Sequence, residues 1–151
     1  MKIRKFQNKD ARKVSYVIAK TMRTNMSKDY SKGLIDAMIR NRQPKDIIKL
    51  SKKRDFYVAE QGDRILGVAA LEEDDVHTMF VNPLYQGKGI GKKLIERVEI
   101  LAKKRKIKKL SVKSTKGAEK FYQRMGFKKK GLYRATIEKY HPYFMNLEKK
   151  L

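Results

Sequence analysis

Residues 81–93 read VNPLYQGKGIGKK. Gly87, Gly89 and Gly91 alternate with Lys88, Ile90 and Lys92, and an amphipathic run follows at once. In that run Leu94, Ile95, Val98, Leu101 and Ala102 fall on one helical face. Upstream, Val76 to Val81 reads as a strand. The order is strand, glycine loop, helix. Glycines let backbone N–H groups approach an anion closely, and the helix start turns its positive end toward it. Lys88 and Lys92 add charge. The stretch therefore predicts a loop that holds phosphate.

Two common phosphate motifs do not fit. A P-loop needs four residues between its first glycine and the Gly-Lys pair, then Ser or Thr. Here Gly87 and Gly91 enclose three residues, and Lys93 stands where the hydroxyl belongs. A dinucleotide fingerprint reads G-x-G-x-x-G near the start of a βαβ unit. This loop reads G-x-G-x-G and lies past the midpoint of the chain.

Outward from the loop, periodicity predicts a mixed α/β sheet. Ile3 to Phe6 reads as a first strand, and Asn8 as the cap of a helix carrying Ala11, Val14, Val17, Ile18 and Thr21. Ser31 caps a second helix through Leu34, Ile35, Met38 and Ile39, and Pro44 opens a short third. Phe56 to Ala59 and Ile65 to Leu71 form a hairpin across Gln61-Gly62-Asp63. Leu110 to Val112 is a short buried strand. Ser114 or Thr115 caps a helix bearing Ala118, Phe121, Tyr122 and Met125, which Gly126 ends. Phe127 begins a strand, and Tyr143 to Leu147 is the last.

The chain has 151 residues, the size of a single domain over residues 1–151. No apolar run is long enough to span a membrane, and the N-terminus lacks the apolar centre of a signal peptide, so a cytoplasmic location is expected. Cysteine is absent, which excludes disulfides, thiolate metal sites and cysteine nucleophiles. His77 and His141 alone do not make a metal site. Lys+Arg 39 against Asp+Glu 16 gives +23. Such a field draws polyanions, nucleic acid or phosphorylated cofactors, although a lysine-rich solvated surface is the simpler account of it. The run Lys103 to Lys109 follows an apolar helix face and reads as a solvated helix end.

Gln86-Gly87-Lys88-Gly89-Ile90-Gly91 resembles the Q/R-x-x-G-x-G/A pyrophosphate signature of the GCN5-related N-acetyltransferase (GNAT) superfamily. The preceding Phe80-Val81-Asn82-Pro83 is similar to that family's strand end. A second signature, A-x-x-F-Y-x-x-x-G-F, is matched at Ala118, Phe121, Tyr122, Gly126 and Phe127, in the family's order and spacing. The resemblance implies the GNAT fold: a mostly antiparallel central sheet with one splayed parallel strand pair, flanked by helices. It also implies transfer of acetyl from acetyl-coenzyme A directly to an amine acceptor, either a small molecule or a peptide. A homodimer is expected by family analogy alone.

By the same resemblance, Gln86 to Lys92 would hold the coenzyme A pyrophosphate. Met79, Phe80 and Val81 would line the pantetheine arm, with the Val81 N–H aimed at the thioester carbonyl. Ser114, Thr115, Ala118 and Phe121 would line its other side, with Ser114 or Thr115 replacing an asparagine common in the family. Tyr122 would serve as general acid to the departing thiolate. An acceptor amine with a pKa near 10.4 is neutral in about one molecule in 2,500 at pH 7, roughly 4.6 kcal/mol against attack. A base is therefore expected, and Asp75 or His77 is placed for it. Period-two alternation puts Asp75, His77, Met79 and Val81 on one strand face, unless a bulge intervenes. The aromatic cluster Tyr133 to Phe144 is read either as part of an acceptor pocket or as a sheet edge. The other class of function is a non-catalytic module that binds coenzyme A or nucleic acid.

Overall fold

A computed structural model describes all residues, Met1 to Leu151. Seven strands form one sheet: β1 (Lys2–Lys5), β2 (Asp55–Gln61), β3 (Arg64–Glu72), β4 (Asp75–Val81), β5 (Lys109–Ser114), β6 (Lys128–Arg134) and β7 (Tyr143–Lys150). Five helices cover it: α1 (Ala11–Asn25), α2 (Lys32–Arg40), α3 (Pro44–Leu50), α4 (Ile90–Lys104) and α5 (Glu119–Arg124). The strand order is β1-β2-β3-β4-β5-β7-β6. Every neighbouring pair is antiparallel except β4 and β5, which α4 connects as a crossover. The expected mixed sheet with one parallel pair is present.

Helices lie on both faces. The α1–α3 layer buries Val14, Ile18, Ile35 and Ile47 against Phe56, Val58 and Val68. The other face buries Leu94, Ile95, Val98 and Ala102 of α4 against Tyr57, Leu66, Leu71 and Val76. These α4 positions recur at helical spacing, so burying them fixes the rotation of the helix. Leu101 packs at the edge, and Ile90 joins the buried set.

The local signals resolve unevenly. The Ser31 hydroxyl caps α2 by accepting the Leu34 N–H at 3.1 Å, and Pro44 opens α3 as read. Gly126 turns left-handed after α5, at φ 96°. Asn8 is not the cap of α1. A short 3₁₀ turn, Asn8–Asp10, precedes that helix, and the Asp10 carboxylate takes the Gln7 N–H at 2.8 Å. Neither Ser114 nor Thr115 caps the next helix by its side chain. The buried Ser114 hydroxyl donates to the Thr115 carbonyl at 2.7 Å. β6 starts at Lys128, is exposed throughout and forms the sheet's edge, where its lysines discourage further pairing. No helix is long and apolar enough to cross a membrane.

Asp10 also anchors the sheet's first strand. Arg4 reaches both of its oxygens at 2.8 and 2.9 Å, and Glu60 on β2 at 2.8 Å. Burial pushes the Asp10 carboxyl up, but the Arg4 guanidinium and the Gln7 N–H outweigh it and hold it below the usual carboxylate range. The stability Asp10 contributes is thus full above the unfolded carboxylate pKa and is lost as pH falls through the lower folded value. Asp10→Ala leaves Arg4 short of its main partner and should cost about 3 kcal/mol in urea unfolding at neutral pH. A loss under about 1 kcal/mol would reduce the network to an ordinary surface pair.

Candidate functional site

β4 and β5 pair over only two residue positions, Asp75 with Ser111 and Val76 with Val112. Beyond them the strands part. The gap opens toward the C-terminal end of β4, where the glycine loop begins. A β-bulge lies in the same half of β4. Val68 faces Phe80 and Ala70 faces His77, so both Thr78 and Met79 stand opposite Ala69. Thr78 carries the extra residue's strain, at φ 52°, which is uncommon for a β-branched side chain.

The bulge overturns the expectation that Asp75, His77, Met79 and Val81 share a face. Val76, Met79 and Val81 all pack toward α4 and α5, whereas Phe80 packs toward α1–α3. Alternation from Val76 puts Asp75 and His77 on the α1–α3 side. One added residue therefore separates the imidazole from the strand end by a face.

Backbone direction defines the gap's other wall. The Asn82 N–H donates to the Leu66 carbonyl at 2.8 Å, so that pair is a hydrogen-bonded one. The adjacent Val81 then points its N–H and C=O away from β3, toward the gap. Its carbonyl accepts from the Thr21 hydroxyl at 3.1 Å and the Gln86 side-chain amide at 2.9 Å. Gln86 thus ties the loop to the strand.

The loop is set by glycine at two positions and by packing at the third. Gly87 and Gly89 have φ of 77° and 82°, and space for a Cβ is open at both. There the backbone, not crowding, calls for glycine. At Gly91 a Cβ would sit 3.0 Å from the Phe121 ring and 3.2 Å from the Met79 methyl. Its missing side chain lets Phe121 close on the first turn of α4. None of the six successive N–H groups from Gly87 to Lys92 donates to an acceptor in the protein; the next, Lys93, donates to the Gly89 carbonyl at 3.1 Å. Six free amides at the start of a fifteen-residue helix make a cradle for an anion. Lys88 lies over the Tyr85 ring, 5.6 Å from its centre.

Tyr122 is 4% exposed and packs edge-on against Phe121 and Phe127. Burial raises its hydroxyl well above the usual phenol value, so it is protonated at neutral pH. The hydroxyl makes no hydrogen bond to the protein, and it is not among the sealed, unpartnered atoms. Ala118 precedes α5 and packs on the same core.

The two candidate bases differ in freedom. Asp75 sits at the zipped end of the β4–β5 pair, where it accepts from the Ser111 hydroxyl and meets Lys113 at 3.3 Å. His77 stands 4.0 Å from Asp75, and no side chain holds its ring. Burial first, and the nearby Arg54 charge second, lower the His77 pKa against the pull of Asp75 and Glu72. Its imidazole is neutral at pH 7 and can accept a proton.

Several side chains around the gap carried no local signal. Arg54 pairs with Glu72 at 2.9 Å and donates to the Thr78 hydroxyl at 3.2 Å, bracing the bulge. In the sequence Thr21 shows only as a core position of α1, with nothing to mark its bond to Val81. Tyr30 accepts the Lys116 N–H at 3.1 Å, joining the α1–α2 connection to the end of β5. Part of the late aromatic cluster lines a cavity, whereas Tyr133 lies on the edge strand β6. Tyr140, His141 and Tyr143 face Tyr30, Leu34 and Glu119 around about 590 Å³.

An acetyltransferase (GNAT) domain model matches residues 18–150. The chain belongs to the GNAT acetyltransferase family. An uncharacterized N-acetyltransferase of Methanocaldococcus jannaschii is 37% identical over 102 residues, covering 56% of this chain and 45% of that protein. The match thus spans under half the length of that relative. A GCN5-related N-acetyltransferase from Rhodopseudomonas palustris superimposes with a TM-score of 0.94 at 21% identity, covering 99% of this chain and 95% of that one. The PaiA N-acetyltransferase of Thermoplasma acidophilum, solved with coenzyme A, gives 0.80 at 21% identity over 99% and 98%. At these identities the structures share the GNAT fold with this chain.

If Arg54 contributes to keeping His77 neutral, Arg54→Gln should move the imidazole pKa upward, as followed by its ring-proton NMR shifts across pH. No movement would assign the depression to burial alone.

Proposed function

We propose that the protein is an acetyl-coenzyme A-dependent N-acetyltransferase that passes acetyl directly to an amine. The observation that carries this reading is the run of free amides from Gly87 to Lys92 beside a parted strand pair. The amides fit a pyrophosphate, and the gap fits an extended arm that pairs with strand backbone. Gln86, Lys88 and Lys92 complete the phosphate end. Met79, Phe80, Val81, Ser114 and Thr115 flank the arm, although buried Ser114 contributes mainly backbone.

Acetyl-coenzyme A supplies an activated acyl group as a thioester. The chain's own groups then have separate tasks. The Val81 N–H faces the gap and can donate to the carbonyl oxygen as negative charge develops there. His77 accepts the acceptor's proton, and the lowered pKa keeps it competent at neutral pH. Asp75, already engaged by Ser111 and Lys113, is the weaker candidate for that task and biases the imidazole electrostatically. Tyr122 offers its hydrogen to the departing sulfur. A phenol raised by burial gives up its proton less readily, so its main contribution is a hydrogen bond formed as the thiolate appears. With no cysteine in the chain, a thiol-borne acyl-enzyme is excluded.

The acceptor amine approaches from the α1–α3 side, where His77 faces and where the α1–α2 and β6–β7 connections frame a cavity. The +23 surface disfavours polycations at long range and favours an acceptor with acidic parts.

Calorimetric titration with acetyl-coenzyme A should show micromolar-range binding that Gly89→Glu abolishes, because that change strains a left-handed residue and places a carboxylate at the cradle. Absence of binding by the wild type, at low and moderate salt, would sink the reading. Tyr122→Phe should keep that affinity and lower turnover about a hundredfold. Unchanged turnover would return Tyr122 to a packing role.

A further inference from the structure

A second cavity, of about 530 Å³, lies between α2, α3 and the β6–β7 connection. Its charged lining is Arg42, Lys49, Lys53, Asp46 and Glu138. The two carboxylates are already committed. Asp46 accepts the Gln43 N–H at 3.0 Å, and Glu138 pairs with Arg40 at 2.7 Å while also receiving Asn41. The three cations are not. Lys49 and Lys53 have no ion-pair partner, and the guanidinium of the part-buried Arg42 donates only to the neighbouring Asn41 carbonyl at 2.8 Å. Arg4, Arg40, Arg54 and Arg105, by contrast, each hold a carboxylate. A guanidinium withdrawn from water without an anion is costly, and its planar fork suits a carboxylate or phosphate. Burial and the Arg54 charge both lower the Arg42 pKa, against a weaker pull from Asp46, so an added anion would be welcome there.

The cavity is linked to the candidate reaction centre through two chain segments. Met22 in its wall follows Thr21, which bonds the Val81 carbonyl. Lys53 precedes Arg54, which bonds Thr78 in the bulge. Two of its walls are therefore one residue from side chains that touch the parted end of β4. His77 faces the same side of the sheet.

We propose that this cavity is the acceptor's anion subsite: Arg42, with Lys49 and Lys53, holds a carboxylate or phosphate group of an acceptor whose amine reaches β4 beside His77. The proposal rests on the acetyl-transfer reading and narrows the acceptor to amines that also carry an oxyanion. Met22, Met38 and Leu50 add an apolar wall, suited to a short aliphatic spacer.

The test is a panel of amines of equal chain length ending in a carboxylate, a phosphate monoester or a carboxamide, with thiol release measured at saturating acetyl-coenzyme A. The charged amines should exceed the carboxamide in kcat/KM by about ten- to a hundredfold, the scale of hydrogen bonds to a charged group. Arg42→Gln should bring that ratio toward unity and leave acetyl-coenzyme A affinity unchanged. The carboxylate and phosphate arms tell the two sources apart. Equal use of the carboxamide by wild type, or an undiminished ratio in Arg42→Gln, would overturn the proposal. A second measurement needs no turnover: inorganic phosphate is titrated against chloride at matched ionic strength, with the arginine Nε–H resonances followed by NMR. A saturable shift lost in Arg42→Gln is expected, and its absence from the wild type would overturn the subsite. Failure to bind acetyl-coenzyme A would sink the transfer reading separately, with the phosphate titration still deciding whether the cavity takes anions.

Discussion

The site depends on one broken ladder. β4 and β5 are held together at Asp75–Ser111 and Val76–Val112 and nowhere else. A parallel pair inside a sheet normally satisfies its backbone groups along its length, because leaving them bare is costly. Here Val81 turns its groups into the gap, and side chains from distant segments meet part of that need. Thr21 comes from α1 and Gln86 from the loop. The bulge at Thr78 and Met79 sits where the strands separate. It turns Met79 and Val81 toward the α4 core and leaves His77 on the opposite face.

The glycine loop and the second signature act as one packed unit. Phe121 and the Met79 methyl both close on the bare backbone of Gly91, so α5 and the bulged strand meet at the cradle. Tyr122 follows in the next position and is buried between Phe121 and Phe127. The place of the Tyr122 hydroxyl is thereby set by its neighbours' packing. Gly126 then lets the chain turn back so that Phe127 completes the same cluster.

Charge is distributed with economy in a chain that has many more cations than anions. Most carboxylates are assigned: Asp10 to Arg4, Glu72 to Arg54, Glu99 to Lys149, Glu119 to Lys129 and Glu138 to Arg40. Several of these contacts join elements far apart in sequence and fasten the long connections to the sheet. What is left over is positive. Where that excess stands in solvent it sets only the protein's long-range field. Where it is partly withdrawn from water, as at Arg42, an unpaired cation is costly and an anion would offset that cost.

Much of this was legible in the residues themselves. The glycine loop, the buried face of α4, the Ser31 cap and the Gly126 turn each follow from a spacing of a few residues, because helix periodicity and left-handed backbone are local properties. The two signatures pointed to the fold for the same reason. Asn8 and Thr115 do not cap by their side chains: Asn8 lies inside a 3₁₀ turn whose Asp10 carboxylate takes the Gln7 N–H and pairs with Arg4 on the neighbouring strand, and Thr115 opens its own 3₁₀ turn with no side-chain bond. The bulge had no visible mark, because register is settled between β3 and β4 and Thr78 accepts a positive φ only within that pairing. The capture of Asp75 by Ser111 and Lys113, the freedom of His77 and the isolation of Arg42 arise likewise from strands and helices meeting across the chain. The sequence by itself determined where an anion could be cradled and which helix would point at it. The tertiary structure decided which face each β4 side chain occupies and which charges are left unpaired, because both depend on contacts between residues far apart along the chain.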